Sequence, residues 1–157
     1  MRAVCRYVSA AENYDTFVQQ QAAEAVYTGA GSERRTSLCR VSTTQVWGDP
    51  GAMATAARIR SCGVPEIVVK NGAAEVAVSI DGQVQSSATP AASQIRDTTG
   101  AGDSFNAVYL TGRIVGMKPL QACELGREIA REVIGHFGAL APREALTAFS
   151  ETVRHYA

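Results

Sequence analysis

The stretch Asp97-Thr98-Thr99-Gly100-Ala101-Gly102-Asp103-Ser104-Phe105-Asn106 narrows what this chain can fold into more than any other part of it. Gly100, Ala101 and Gly102 make a tight turn whose N–H groups can point into one space. Asp103 then opens a helix that runs through Phe105, Val108 and Leu110. A β-rich run precedes the turn and a helix of small residues follows it. A helix N-terminus entered through such a turn favours an anion, because free N–H groups and the helix dipole both attract negative charge. The carboxylate of Asp103 would repel a phosphate at that place, so it serves another purpose. Beside a transferring phosphoryl group it suits a general base that takes the proton from an attacking hydroxyl.

Other readings of the same residues are weaker but stay open. No Gly-Lys-Ser/Thr follows the glycines, which excludes a Walker A loop. Phe105 stands where a dinucleotide-binding fingerprint needs its third glycine, and no clean strand leads directly into the turn. An ordinary aspartate cap after a glycine-rich turn fits a bare Gly-x-Gly-Asp as well.

Around this stretch the pattern reads as alternating helix and strand. The spacings of Tyr14, Phe17, Val18, Ala22 and Ala25 predict a helix over Ala11 to Tyr27, and Gly29 to Thr44 reads as a surface loop. Asp49 and Pro50 predict a helix start, with Asp49 as cap, continuing through Met53, Ala56, Ala57 and Ile59 to a stop at Gly63. Glu66 to Lys70 reads as a buried strand and Asn71-Gly72 as a turn. Glu75 to Ile80 alternates as a second strand, and Asp81-Gly82 predicts a hairpin into Gln83 to Ser86. The helix from Asp103 is expected to end near Gly116. Pro119 starts another with the apolar stripe Leu120, Cys123, Leu125, Ile129 and Val133, and Pro142 starts a last one. This order suits one half of an α/β sandwich.

Composition excludes several classes. The chain has 157 residues, 46% hydrophobic and 19% charged, with zero net charge, enough for one domain with a real core. That balance predicts no nucleic-acid or membrane surface, and no apolar run reaches the roughly 20 residues of a membrane span. Cys5, Cys39, Cys62 and Cys123 make no metal-ligand spacing and read as reduced thiols of a cytoplasmic protein. Basic charge is almost all arginine, with Lys70 and Lys118 the only lysines, a bias that points to GC-rich coding DNA.

The string from Asp97 to Leu110 resembles the C-terminal signature of the ribokinase-like (PfkB-type) carbohydrate kinases. The resemblance implies a ribokinase-like α/β sandwich of which this chain is the C-terminal part, incomplete as it stands. It implies ATP-dependent phosphorylation of a sugar hydroxyl, with Mg²⁺ carried on the ATP. Gly100, Ala101 and Gly102 would form the anion hole for the γ-phosphate, and Asp103 would be the base. Asp97 and Thr99 match positions that hold a monovalent cation in some members. Lys70 and Gly72, which end a strand beside a bare backbone, fall where the family lines its nucleotide site. Relatives often carry glycine where this chain has Ala74 or Glu75, a departure in the backbone next to that site. Within the family, Val46-Trp47-Gly48-Asp49, Glu66 to Gly72 and His136 to Glu144 are most similar to 2-keto-3-deoxygluconate kinases. That implies a sugar acid and ATP as small-molecule partners. In such kinases the last string loops back toward the nucleotide and cation region. Kinases of another sugar or of a nucleoside, and a fragment without activity, are the alternatives.

The resemblance covers about residues 45 to 150 and divides the chain into residues 1–44, which do not match, and 45–157, the kinase part. Where keto-deoxygluconate kinases read like Leu-Pro-Ser-x-x-Asp-Glu, this chain has Leu38 to Thr44. Codons that encode Arg35 to Thr44 can also be read, in a shifted frame, as Asp-Val-Ala-Leu-Pro-Ser-Phe-Asp-Asp, close to the family text. Residues 1–44 are therefore expected to be an out-of-frame translation, with a divergent N-terminus as the alternative. Without the family's N-terminal strands and sugar pocket, uncovered apolar faces would make the product marginal and prone to aggregate.

Overall fold

The computed structural model describes residues 23–29, 32–40, 48–61, 64–80, 82–88 and 91–156, with backbone alone for residues 23–40. It divides into two compact units, Met1–Thr89 and Pro90–Ala157.

Among the described residues the first unit is a five-stranded sheet with one helix. The strands are β1 (Ala23–Gly29), β2 (Ser32–Arg40), β3 (Glu66–Lys70), β4 (Glu75–Ile80) and β5 (Gln83–Ala88), side by side in that order. Only β2 and β3 run parallel, with Leu38 opposite Val68, and α1 (Ala52–Ser61) falls between them in sequence. The other neighbours are antiparallel hairpin pairs. β3 is a continuous apolar run because both of its faces are covered: Ile67, Val68 and Val69 are fully buried. α1 lays Ala52, Ala56 and Ile59, one stripe at helical spacing, on Ile67, Val69 and Ala77. The two alanines let the helix backbone approach the sheet closely, and burial of Ile59 contributes about 2 kcal/mol.

Three expectations change here. The strand over Ala23–Gly29 replaces the predicted helix, whose residues before Ala23 lie outside the described ones. β2 replaces the predicted loop. The seven-residue pairing from Ala23 opposite Leu38 to Gly29 opposite Ser32 is a tertiary gain that helical spacing in one segment does not register. Asp49 is not a backbone cap, since α1 begins three residues later. Its carboxylate accepts instead from the Thr55 hydroxyl at 3.1 Å and from the Arg58 guanidinium at 2.5 to 3.0 Å. This brace ties the entry of α1 to its first and second turns.

The Arg58 hydrogen bonds hold the Asp49 carboxyl below its ordinary range. A depressed carboxyl stabilises the fold while ionised, and that contribution fades as pH falls through the folded value. A carboxyl titration of Asp49 by NMR is expected to show a midpoint below 3.8, moving back up in Arg58→Ala. An unmoved midpoint would remove the brace from the account.

The second unit is helical. α2 (Ala101–Ile114) and α3 (Pro119–Ile134) form a hairpin, followed by a 3₁₀ turn (Arg143–Leu146) and α4 (Thr147–Tyr156). Gly116, at φ 95°, reverses the chain after α2. Lys118 and Pro119 start α3, and the Lys118 N–H donates to Gln121 Oε1 at 3.1 Å. Phe105 and Tyr109 stack with ring centres 6.0 Å apart, both buried. Ile129, Val133 and Ala141 form a second apolar cluster, joined by Val108, Leu146 and Phe149. Cys123 is a free, buried thiol whose pKa is pushed up to about 11, chiefly by burial, so it is inert at neutral pH.

Gly126 lets α3 close onto α2, since a Cβ there would stand 3.1 Å from the Phe105 ring. A leucine at this position would push into a packed aromatic pair. Gly126→Leu is expected to cost about 1–3 kcal/mol in denaturant unfolding. An unchanged midpoint would mean the two helices are not in close contact there.

Candidate functional site

The glycine turn and its carboxylate lie at the entry of α2. Gly100 is the capping residue, at φ 77° in the left-handed region, and it makes no side-chain cap hydrogen bond. Ala101 is the first helical residue and Ser104 N–H donates to Gly100 C=O at 2.8 Å, so the first turn is regular. Asp103 therefore sits at the third helical position, exposed, rather than at the opening of the helix. A negative side chain in the first turn is also favoured by the dipole.

Gly100 is required twice. Its backbone angle suits glycine, and a Cβ there would fall 2.4 Å from the carbonyl oxygen of Ala139. The segment after α3 is thus pressed against the turn. Asp97 holds this arrangement. Its Oδ1 accepts from Thr99 N–H at 2.9 Å, closing a local side-chain turn, and its Oδ2 accepts from Gly138 N–H at 3.0 Å. The Ile134 carbonyl accepts from Arg96 N–H at 2.8 Å and from Asp97 N–H at 3.4 Å. The Arg96 guanidinium lies 5.7 Å from the centre of the Phe137 ring. Hydrogen bonds from the Thr99 side chain, then from the Thr99 and Gly138 N–H groups, hold the Asp97 carboxyl below its ordinary range, so it is anionic at neutral pH.

The structure thus brings Asp97, Thr99, Gly100, Ala101, Gly102 and Asp103 together at one helix entry. Lys70 and Gly72 stand in the first unit, at the β3–β4 connection. Gly72 has φ 56°, Asn71 N–H donates to Glu75 C=O at 2.8 Å, and an added Cβ on Gly72 would meet nothing within 4 Å. Lys70 ends β3 opposite Val76 and is half-buried. His136 Nε2 lies 3.0 Å from Glu132 Oε1 one turn back, and the His136 N–H donates to Val133 C=O at 3.1 Å. Sequence reasoning missed the Asp97–Gly138 hydrogen bond and the Gly100–Ala139 approach. Asp97 two residues before Thr99 was the one available signal for the local turn.

A left-handed glycine turn feeding a helix, with a carboxylate in its first turn, is an arrangement suited to phosphoryl transfer. Residues 41–146 match the profile of the pfkB family carbohydrate kinases, and the chain belongs to that family. The 2-dehydro-3-deoxygluconokinase of Escherichia coli strain K12 is 41% identical over 107 residues, covering 66% of this chain and 34% of the relative. The fold is ribokinase-like. A probable sugar kinase from Rhizobium etli superposes with a TM-score of 0.63 at 20% identity, over 76% of this chain and 35% of that one. Arabidopsis thaliana ribokinase, solved with ribose and ATP, gives 0.62 at 18% identity, over 73% and 40%. The chain spans about a third of the length of the curated relatives it matches. Among the described residues no helix is long and apolar enough to cross a membrane.

Proposed function

We propose that residues 45–157 are the phosphoryl-transfer part of an ATP-dependent sugar-acid kinase, with 2-keto-3-deoxygluconate as the acceptor and its 6-phosphate as the product. The observation that carries this reading is the Gly100 turn entering α2 with Asp103 in the first turn. Asp103 removes the proton from the sugar hydroxyl as it attacks the γ-phosphorus of ATP. The turn of Gly100, Ala101 and Gly102 faces the charge that develops on the transferring group, with the Ala101 N–H also donating to Thr98 C=O at 3.4 Å, and ADP leaves in line. Lys70 and Gly72 contribute to the nucleotide site. Asp97 and Thr99 are the candidates for a monovalent cation.

Among the described residues no cluster of three His, Cys, Asp or Glu side chains could hold a metal by itself. Mg²⁺ would arrive on the nucleotide phosphates, because this ion prefers phosphate, water and one or two carboxylates to an all-protein cage. When bound it would neutralise phosphate charge, with Asp103 the nearby carboxylate of this chain. The reduced, inert Cys123 is consistent with a cytoplasmic setting.

A kinase for another sugar or for a nucleoside is the second reading, favoured by how little of the relatives this chain spans. A chimera in which residues 45–157 replace the matching segment of the Escherichia coli relative tests the phosphoryl-transfer reading. Because the sugar pocket lies in the N-terminal part, the two readings are separated by offering a panel of sugar acids, sugars and nucleosides to the protein with its own N-terminal part restored, where preference for 2-keto-3-deoxygluconate supports the first. For residues 1–44 we propose an out-of-frame origin. Coding DNA that, read in the shifted frame, lacks a sugar-kinase N-terminal part would refute it.

A further inference from the structure

We propose that the β1–β2 hairpin is a guard on the outer edge of β3, and that a second copy of this chain pairs with that edge when the hairpin opens. The inference concerns the first unit alone and stands whether or not the chain is a kinase. β3 lies within the family match, residues 41–146, whereas β1 and β2 precede it. The neighbour of β3 on this side is thus supplied by residues outside the matched segment, with Thr36 to Arg40 opposite Glu66 to Lys70. Without that neighbour β3 would be an edge strand with a fully buried apolar run, Ile67 to Val69, and no proline to discourage pairing.

The backbone shows which groups the guard covers. Asn71 N–H donates to Glu75 C=O, and these two residues continue the β3–β4 register into the turn. Hydrogen-bonded and non-bonded positions alternate along an antiparallel pair. Ile67 and Val69 therefore bond to β4, and the N–H and C=O groups of Glu66, Val68 and Lys70 face β2. In a parallel ladder such a residue bonds to the two that flank its partner, and for Val68, opposite Leu38, these are Ser37 and Cys39.

The row that β2 covers is complementary to itself. Turned about a two-fold axis at Val68, two β3 strands run antiparallel, with Val68 opposite Val68 and Glu66 opposite Lys70 of the second copy. These are the positions whose backbone groups face outward, so each falls at a hydrogen-bonded site, and both ends of the pair join opposite charges. Such an interface uses the same patch on both copies and closes at two.

Amide hydrogen exchange of the full, unmodified chain tests the guard. Opening of the hairpin releases Val68 and Lys70 while β4 still holds Ile67 and Val69. Val68 and Lys70 are expected to exchange roughly tenfold faster than Ile67 and Val69. Equal rates at all four would mean that β2, β3 and β4 part together, and would overturn the guard.

Sedimentation tests the second copy. Ser37→Pro together with Cys39→Pro removes two donors from the β2 side of the ladder. That variant is expected to pass from monomer to dimer as its concentration rises, while the unmodified chain stays monomeric. Its exchange at Val68 and Lys70 should be fast when dilute and slow when concentrated, because the second copy takes the place of β2. Adding Lys70→Glu sets like charges at both ends of the strand pair and is expected to weaken association about tenfold. A dimer indifferent to Lys70→Glu would place the contact elsewhere and overturn the β3 pairing. So would a proline variant that stays monomeric or grows past two copies, and a dimer already formed by the unmodified chain would contradict the guard. If the double variant does not fold, Cys39→Pro alone is measured in its place. Failure of both to fold would make the hairpin part of the core and overturn the guard.

Discussion

Asp103→Asn is expected to lower kcat for sugar phosphorylation by about 10²–10⁴, the range in which a positioned general base contributes, or roughly 3–5 kcal/mol of barrier. The substitution preserves shape and hydrogen-bond reach while removing the basic lone pair. It also removes a negative charge from the first turn of α2, where the phosphates of ATP would lie. The KM for ATP should therefore stay level or fall, since like charge opposes the nucleotide. This split is the diagnostic part. If Asp103 were only an N-terminal dipole partner, the cost would be a few tenths to about 1 kcal/mol of stability with little change in turnover. Steady-state kinetics of the residues 45–157 chimera, with and without the substitution, make the distinction. Near-normal turnover in the variant would remove Asp103 from the chemistry.

Gly100→Val is expected to be the most damaging single change to the fold of the second unit. At φ 77° a β-branched residue is strained by about 1–3 kcal/mol, and its Cβ would lie 2.4 Å from a backbone oxygen that cannot rotate away. Turn and segment would have to part, with loss of the Asp97–Gly138 hydrogen bond. A total of about 3 kcal/mol or more lowers Tm by roughly 6–12 °C for a chain of this size. Gly116→Val is the matched control. It has a positive φ of 95° but nothing within 4 Å of an added Cβ, so it carries strain without collision. Thermal unfolding should rank Gly100→Val well below Gly116→Val. Equal losses would mean that Ala139 does not press on the turn.

These two residues also show what was legible in the sequence. The Gly-x-Gly-Asp turn announced itself because its requirement is local: one residue with positive φ, then a helix. The strands Glu66–Lys70, Glu75–Ile80 and Gln83–Ala88 were legible for the same reason, through an apolar run and a hairpin glycine. The strands at Ala23–Gly29 and Ser32–Arg40 were not, because their residues carry no two-residue alternation and their pairing is a matter of partners. The Asp97–Gly138 hydrogen bond was hidden differently. Gly138 takes part through its N–H, and every residue but proline has one, so no side chain marks it. Asp49 was read as a cap from its neighbour Pro50, whereas Thr55 and Arg58, a turn and two turns away on α1, claim its carboxylate. Lys70 and Gly72 could be placed by resemblance to nucleotide-site residues, yet they belong to the first unit and the signature to the second.

The central claim is that residues 45–157 carry a working phosphoryl-transfer corner. The most direct measurement is ADP release by the chimera, followed with and without 2-keto-3-deoxygluconate, with the product identified by mass and phosphorus NMR. The account predicts sugar-dependent ADP release matched one-to-one by a 6-phosphate. A folded chimera that binds ATP but forms no phosphorylated sugar from any acceptor in the panel would contradict it.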